Sequence, residues 1–268
     1  MSLKLDERQR AMLGEMGVRL FHSHSQPGGI DDTPPVRPRR AGGKPAIAAG
    51  VEAREPALVA RAARPVVTPL VSTASGIELM EWDALAQTVV ECRACSLCDG
   101  RRNTVFGTGD RQADWLIVGE APGENEDLQG EPFLGQAGLL LDNMLKALGL
   151  NRQQQVYIAN VLKCRPPGNR NPEPDELAQC EPFLRRQVEL LQPRIILAMG
   201  RFAVQALLQS SEPIGKLRGQ VHRYSGVPVV VTYHPAYLLR NLPDKAKAWT
   251  DLCLALEVLQ QPATASRG

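Results

Sequence analysis

The chain has 268 residues, 43% of them hydrophobic, with a formal net charge of +2 and 6 cysteines. That is enough apolar material for one sizeable core. The near-neutral total excludes polyanion binding through charge spread over the whole surface, so any contact with nucleic acid must use positive charge gathered on one face.

In chain order, residues 6–21 place Met12, Leu13, Met16 and Leu20 on one side of a short amphipathic helix, so residues 1–21 are a candidate docking element for the core or for a protein partner. Residues 22–75 are rich in Pro, Ala, Gly and Arg and lack apolar periodicity, the composition of a disordered linker. A folded domain is expected over 76–260, with a flexible tail at 261–268. The spacing predicts a helix over Glu78 to Val90 and a buried parallel strand at Trp115 to Val118, which is continuously apolar. A helix over Ala137 to Leu148, a strand at Val156 to Leu162 and a helix from Pro174 to Leu191 follow, Pro174 suiting a helix start. Then come a strand at Arg194 to Met199, a helix over Arg201 to Leu208, a strand or hairpin at Gln220 to Tyr224, a strand at Val227 to Thr232 and a terminal helix over Asp244 to Leu259.

Repeated β-then-α units of this size predict an α/β fold, a three-layer α/β/α sandwich with a mostly parallel central sheet. Ligands of such sheets bind beyond the C-terminal strand ends. The loops after Val118, Leu162, Met199 and Val231 are therefore where the chemistry should lie, and unusual residues fall on three of these four. No apolar run approaches the roughly 20 residues of a membrane helix, and the N-terminus lacks a basic start followed by an apolar stretch. A cytoplasmic monomer with no membrane contact is expected.

After the first strand, Gly119-Glu120-Ala121-Pro122-Gly123 makes a tight turn that aims the Glu120 carboxylate into the crevice. An acidic surface loop would read the same way. Phe133 stands in the Gly-Pro loop that follows, in a chain only 4% aromatic. Its ring suits stacking on a planar ligand such as a base, or simply folding back into the core. Asn160 is an amide within the apolar run Tyr157 to Leu162. Its carbonyl and NH2 match the edge of a pyrimidine, or else bond loop backbone. His234, followed by Pro235, ends the last strand, where an imidazole can meet an oxygen that becomes negative in a reaction. Beyond it, Tyr237-Leu238-Leu239-Arg240 could push apolar side chains, Tyr237 and Leu238 first among them, into a duplex, with Arg240 placed to meet phosphate.

Cys92-x2-Cys95 and Cys164-x15-Cys180 supply four soft ligands in two pairs. Spacing alone leaves zinc and an iron-sulfur centre both open. Cys98 is a spare, and Cys253 reads as a buried helix residue. Lys163, Arg165, Arg170, Lys216, Arg218, Arg223 and Arg240 are candidates for a phosphate-binding rim.

Cys92-x2-Cys95, Gly-Glu-Ala-Pro-Gly at 119–123, Gly-x-Pro-Phe at 130–133, Asn160, Cys164-Arg165-Pro166-Pro167, Cys180 and His234-Pro235, in that order, resemble the family 4 uracil-DNA glycosylases, the iron-sulfur branch of their superfamily. The resemblance covers about Trp82 to Leu259. It implies a 4Fe-4S cluster on Cys92, Cys95, Cys164 and Cys180 in preference to zinc, and uracil-containing DNA as partner and substrate. It further implies a flipped uracil bound by Ala121, Phe133, Asn160 and His234. Glu120 and His234 would be catalytic, His234 facing the departing uracil and Glu120 the sugar or the attacking water. Arg165, Arg170, Tyr237, Leu238 and Arg240 would contact DNA. One branch of the superfamily traps DNA through a histidine in the loop after the second strand; residues 165–172 contain none. A non-catalytic iron-sulfur DNA-binding module is the rival reading, and a zinc-stabilised hydrolase of free nucleotides a second one.

Overall fold

The computed structural model describes residues 76–261. The predicted N-terminal helix at 1–21 and linker at 22–75 lie outside the described residues, as does the tail beyond Gln261.

Four strands form a parallel centre: β2 (Trp115–Gly119), β3 (Val156–Asn160), β4 (Ile195–Met199) and β6 (Val227–Thr232). The two-residue β1 (Thr108–Gly109) closes one edge antiparallel to β3, and β5 (Val221–Tyr224) closes the other antiparallel to β6, giving the order β1-β3-β2-β4-β6-β5. Every residue of β2, β3 and β4 is buried. Helices cover both faces, and that is why these strands read as unbroken apolar runs rather than as alternation.

Side-chain alternation sorts the strand residues between two cores. On one face Trp115, Ile117, Ile158 and Leu197 meet Leu141 and Leu145 of α3 (Gly135–Ala147) and Trp249 and Leu252 of α8 (Lys245–Gln260). On the other, Leu116, Val118, Ala159 and Ile196 meet Leu184 and Val188 of α4 (Pro174–Leu191) and Val204 of α5 (Arg201–Leu208). The three-layer α/β/α sandwich expected from the sequence is therefore the fold. The first described helix, α1 (Trp82–Glu91), packs Leu85 and Val89 against Phe183 of α4. It starts later than its apolar pattern suggests, because Ile77–Leu79 winds as a separate 3-10 turn.

Three short helices and β1 had no sequence signal: α2 (Glu124–Gln129), α6 (Ile214–Leu217) and α7 (Pro235–Arg240). Each is at most six residues, too short to show a 3.6-residue period. The C-terminal strand ends converge where β2 lies between β3 and β4, the point at which the strand order reverses and a crevice opens.

Candidate active site

Gly119, the last residue of β2, pairs with Asn160, the last of β3. The two strands stay joined beyond the sheet: Val161 N–H donates to the Gly119 carbonyl at 3.0 Å and Leu162 N–H to that of Glu120 at 3.1 Å. Gly119 matters for space. A Cβ there would overlap Asn160 Oδ1 and come within 2.6 Å of the Phe133 ring, so only glycine lets amide and ring share the crevice floor.

Above this floor lies an open cleft of about 1030 Å³ whose walls include Glu120, Ala121, Phe133, Asn160 and His234. Three loops and one strand end, from three different βα units, thus bring all five predicted pocket residues together. Phe133 is only 4% exposed, and its ring stacks on His234 with centroids 5.2 Å apart and planes at 23°. It belongs both to the core and to the pocket wall. Asn160 is buried at the floor.

His234 caps α7, its Nδ1 accepting the Ala236 N–H at 3.2 Å. A nitrogen that accepts carries no proton, so in the neutral ring the proton sits on Nε2. Burial, helped by the positive charge of Arg240, pushes the imidazole down to about 4. His234 is therefore neutral at physiological pH and presents an N–H donor. Burial acts oppositely on Glu120, raising its carboxyl to about 7 against the pull of Arg201. Arg201 follows Gly200 on the one strand-end loop in which the sequence showed nothing unusual, and it too lines the cleft. Asn169 is another wall residue without a sequence signal.

The predicted DNA contacts divide. Arg170, Tyr237 and Arg240 line the cleft. Arg170 forks onto Glu176, with its Nη1 2.9 Å from Oε2, so it also braces the loop it stands on. Tyr237 stacks on Tyr233 at 5.0 Å and donates its hydroxyl to Asp244 at 2.7 Å. Arg165 is not itself in the cleft lining but donates Nε to the wall residue Asn169 at 2.8 Å and pairs with Glu124, another wall residue, at 3.7 Å. Leu238 is a correction. It is 0% exposed and belongs to the core, whereas Leu239 is 39% exposed and lines the cleft. Residues 235–240 form a helix, in which neighbours point about 100° apart, so one of two adjacent leucines must face inward. Two members of the expected basic rim are also reassigned. Lys163 is buried and donates to the Asn160 carbonyl at 2.8 Å and Gln187 Oε1 at 2.7 Å. Arg218 grips the buried Asp251 at 2.8 Å.

A family model described as the uracil DNA glycosylase superfamily matches residues 106–254. The type-4 uracil-DNA glycosylase of Saccharolobus solfataricus is 44% identical over 170 residues, covering 60% of this chain and 78% of that protein. The type-4 enzyme of Thermotoga maritima is 44% identical over 172 residues, covering 63% of this chain and 88% of the other. The type-5 uracil-DNA glycosylase of Thermus thermophilus is more distant, 31% identical over 160 residues, with 48% and 73% covered. The chain belongs to the type-4 uracil-DNA glycosylase family.

In this type-4 chain the cysteines form a second centre beside the cleft. Cys92, Cys95, Cys98, Cys164 and Cys180 line one narrow cavity, together with Arg101 and Lys163. All six cysteines of the chain are free of disulfides. Arg101 Nη1 donates to Cys164 Sγ at 3.2 Å. Burial pushes the Cys180 thiol up to about 12 and raises Cys95 and Cys164 as well. The cavity thus gathers soft donors whose ionised form needs added positive charge. Among the described residues, no group of three or more His, Cys, Asp or Glu side chains is arranged to hold a metal ion. Cys98, the spare, also donates to Asp99 at 3.5 Å. Cys253, on α8, packs against the first core.

Proposed function

We propose that the protein excises uracil from DNA by hydrolysing the N-glycosidic bond, leaving an abasic site. The observation that carries the mechanism is His234: a cleft-lining neutral imidazole whose Nδ1 accepts the Ala236 N–H, which leaves Nε2–H as its donor for a ligand. As the bond breaks, negative charge gathers on the uracil oxygen, and a donor already fixed in place stabilises it without reorganising. A neutral donor suits this role because it binds the developing anion while keeping its own proton.

The other cleft residues complete the pocket. A uracil flipped out of the helix meets the Phe133 ring, and the Asn160 amide reads its carbonyl and N–H edge. Glu120, when ionised, stands by the sugar as it becomes positive, or orients the water that attacks it. Arg170 and Arg240 supply positive charge at the rim, and the exposed Leu239, rather than Leu238, is the side chain able to enter the space vacated by the base.

Cys92, Cys95, Cys164 and Cys180 fit a 4Fe-4S cluster. They are four buried or half-buried thiols from distant segments around one cavity, with a guanidinium on one of them. The same four thiols are chemically competent for zinc; the likeness of the ordered cysteines to the iron-sulfur branch favours the cluster. When bound, the cluster supplies a structural cross-link and a centre capable of accepting or giving one electron. Its loops reach the pocket, since Cys164 ends the segment whose Val161 and Leu162 bond Gly119 and Glu120. We further propose that the protein acts as a monomer in the cytoplasm, on the nucleoid.

The deciding experiment incubates the protein with a uracil-containing oligonucleotide and then cleaves abasic sites with alkali. Strand breakage at uracil alone is expected. Tight binding without breakage would instead establish a non-catalytic DNA-binding module.

A further inference from the structure

Phe133 has a backbone φ of 55°, in the left-handed region that a residue with a side chain occupies only when its surroundings impose it. Two charged side chains grip the backbone around Phe133. The Glu126 carboxylate accepts the Gly123 N–H on Oε2 at 3.0 Å and the Leu134 N–H on Oε1 at 2.7 Å. One carboxylate therefore ties the end of the Glu120 turn to the residue after Phe133. From elsewhere in the chain, Arg152 donates to the Pro132 carbonyl at 3.0 Å and to the Phe133 carbonyl, while its Nε bonds Asp142 of α3. The arrangement needs α3 close by. A Cβ on Gly138 would overlap the Phe133 carbonyl, so glycine is required at that position as well.

A plain structural role accounts for half of this. The bond from Gly123 N–H to Glu126 is an ordinary cap at the start of a six-residue helix. It does not account for the second carboxylate oxygen reaching eight residues onward to Leu134, nor for a guanidinium on the two carbonyls at Phe133. Both devices act on the backbone immediately flanking one ring, and that ring faces His234.

We infer that Glu126 and Arg152 are positioning residues for the excision reaction: together they fix the Phe133 ring against His234 and so set how firmly the departing uracil is held. The inference rests on the uracil-excision reading above. Neither residue touches the reacting atoms in this account, and both act through Phe133.

The test compares the unaltered protein with Glu126→Gln, Arg152→Gln and Arg152→Lys. Four quantities are measured: the single-turnover excision rate, the inhibition constant of free uracil, affinity for uracil-free duplex and the thermal midpoint. Loosening a positioned group costs about 10- to 100-fold in rate. That loss is expected for Glu126→Gln and Arg152→Gln, with the uracil inhibition constant weakened in parallel and uracil-free duplex binding unchanged. Gln offers one acceptor oxygen where two N–H groups must be met, so Glu126→Gln should not recover function. Arg152→Lys keeps the charge but loses the fork, and it should recover only part. If Glu126→Gln does not fold, the two Arg152 variants carry the same comparison.

An unchanged excision rate and uracil inhibition constant in folded variants would overturn the inference. So would a lowered thermal midpoint accompanied by unchanged turnover per active molecule, which is what scaffolding alone would produce. Failure of the underlying reading looks different, because the unaltered protein would then release no uracil at all.

Discussion

The cleft and the cysteine cavity share the segment running from β3 into α4, yet they are held together in opposite ways. At the cleft, charged side chains satisfy loop backbone: Glu126 accepts two N–H groups and Arg152 donates to two carbonyls. At the cavity, five thiols face one another with Arg101 as the one guanidinium donating to a sulfur among the described residues. Protein groups alone can pre-form the first. The second gathers donors that repel one another once ionised, with Arg101 and Lys163 as the chain's own cations in its lining, and the proposed cluster would add cationic charge to them. With the cluster proposed for the cavity, the difference would mean that a reaction requiring no electron depends on an inorganic centre through the loops that the centre ties down.

The largest expected effect breaks the cavity. If the cavity holds the proposed cluster, Cys164→Ser or Cys180→Ser should abolish the protein's broad visible absorption, lower the thermal midpoint sharply and remove activity with it, as read by absorption, iron content and calorimetry. Full activity in an iron-free protein would end the comparison. Breaking the cleft instead should leave the fold alone: His234→Ala is expected to cost about 10²- to 10³-fold in single-turnover rate, the range for removing one preorganised donor, with colour and thermal midpoint retained.

A pair of neighbouring leucines gives the next effect. Leu238→Ala should destabilise the protein by about 2–5 kcal/mol, as truncations in packed cores do, measured by denaturant unfolding. Leu239→Ala should leave stability within about 0.5 kcal/mol and weaken excision from duplex more than from single strands.

The smallest effect is a shift in pH. Glu120 is held near 7 and His234 near 4, so between pH 5 and 9 only Glu120 of this pair changes charge. If its carboxylate supports the sugar cation, the rate rises with pH through about 7, and Glu120→Gln removes that limb. Arg201 lowers the Glu120 value, so Arg201→Gln should move the limb to higher pH. The stability sign is the reverse of activity. A carboxyl raised above its unfolded value of 4.5 costs nothing when both states are protonated, and its ionisation opposes folding increasingly as pH climbs from there to about 7. Glu120→Gln should therefore gain stability at pH 8 relative to pH 5.

Much of this molecule was legible before its structure. The strands β2, β3, β4 and β6 announced themselves because burial on both faces demands unbroken apolar runs, and a mostly parallel sheet puts its ligands at the strand ends. That logic located Glu120, Asn160 and His234, and the ordered motifs pointed to the family. Only tertiary structure decided the rest, because each remaining feature depends on a partner remote in sequence or on an element too short to have a period. Lys163 looks like a rim cation until Gln187 and the Asn160 carbonyl enclose it. Arg201 carries no local motif, and its meaning comes from facing Glu120. Leu238 and Leu239 are alike in sequence, and the turn of about 100° between helical neighbours sends the first into the core and leaves the second in the cleft. The clamp on Phe133 is the clearest case: Glu126 and Arg152 stand 7 and 19 residues from it, and no pattern of composition or spacing relates them to the ring they hold.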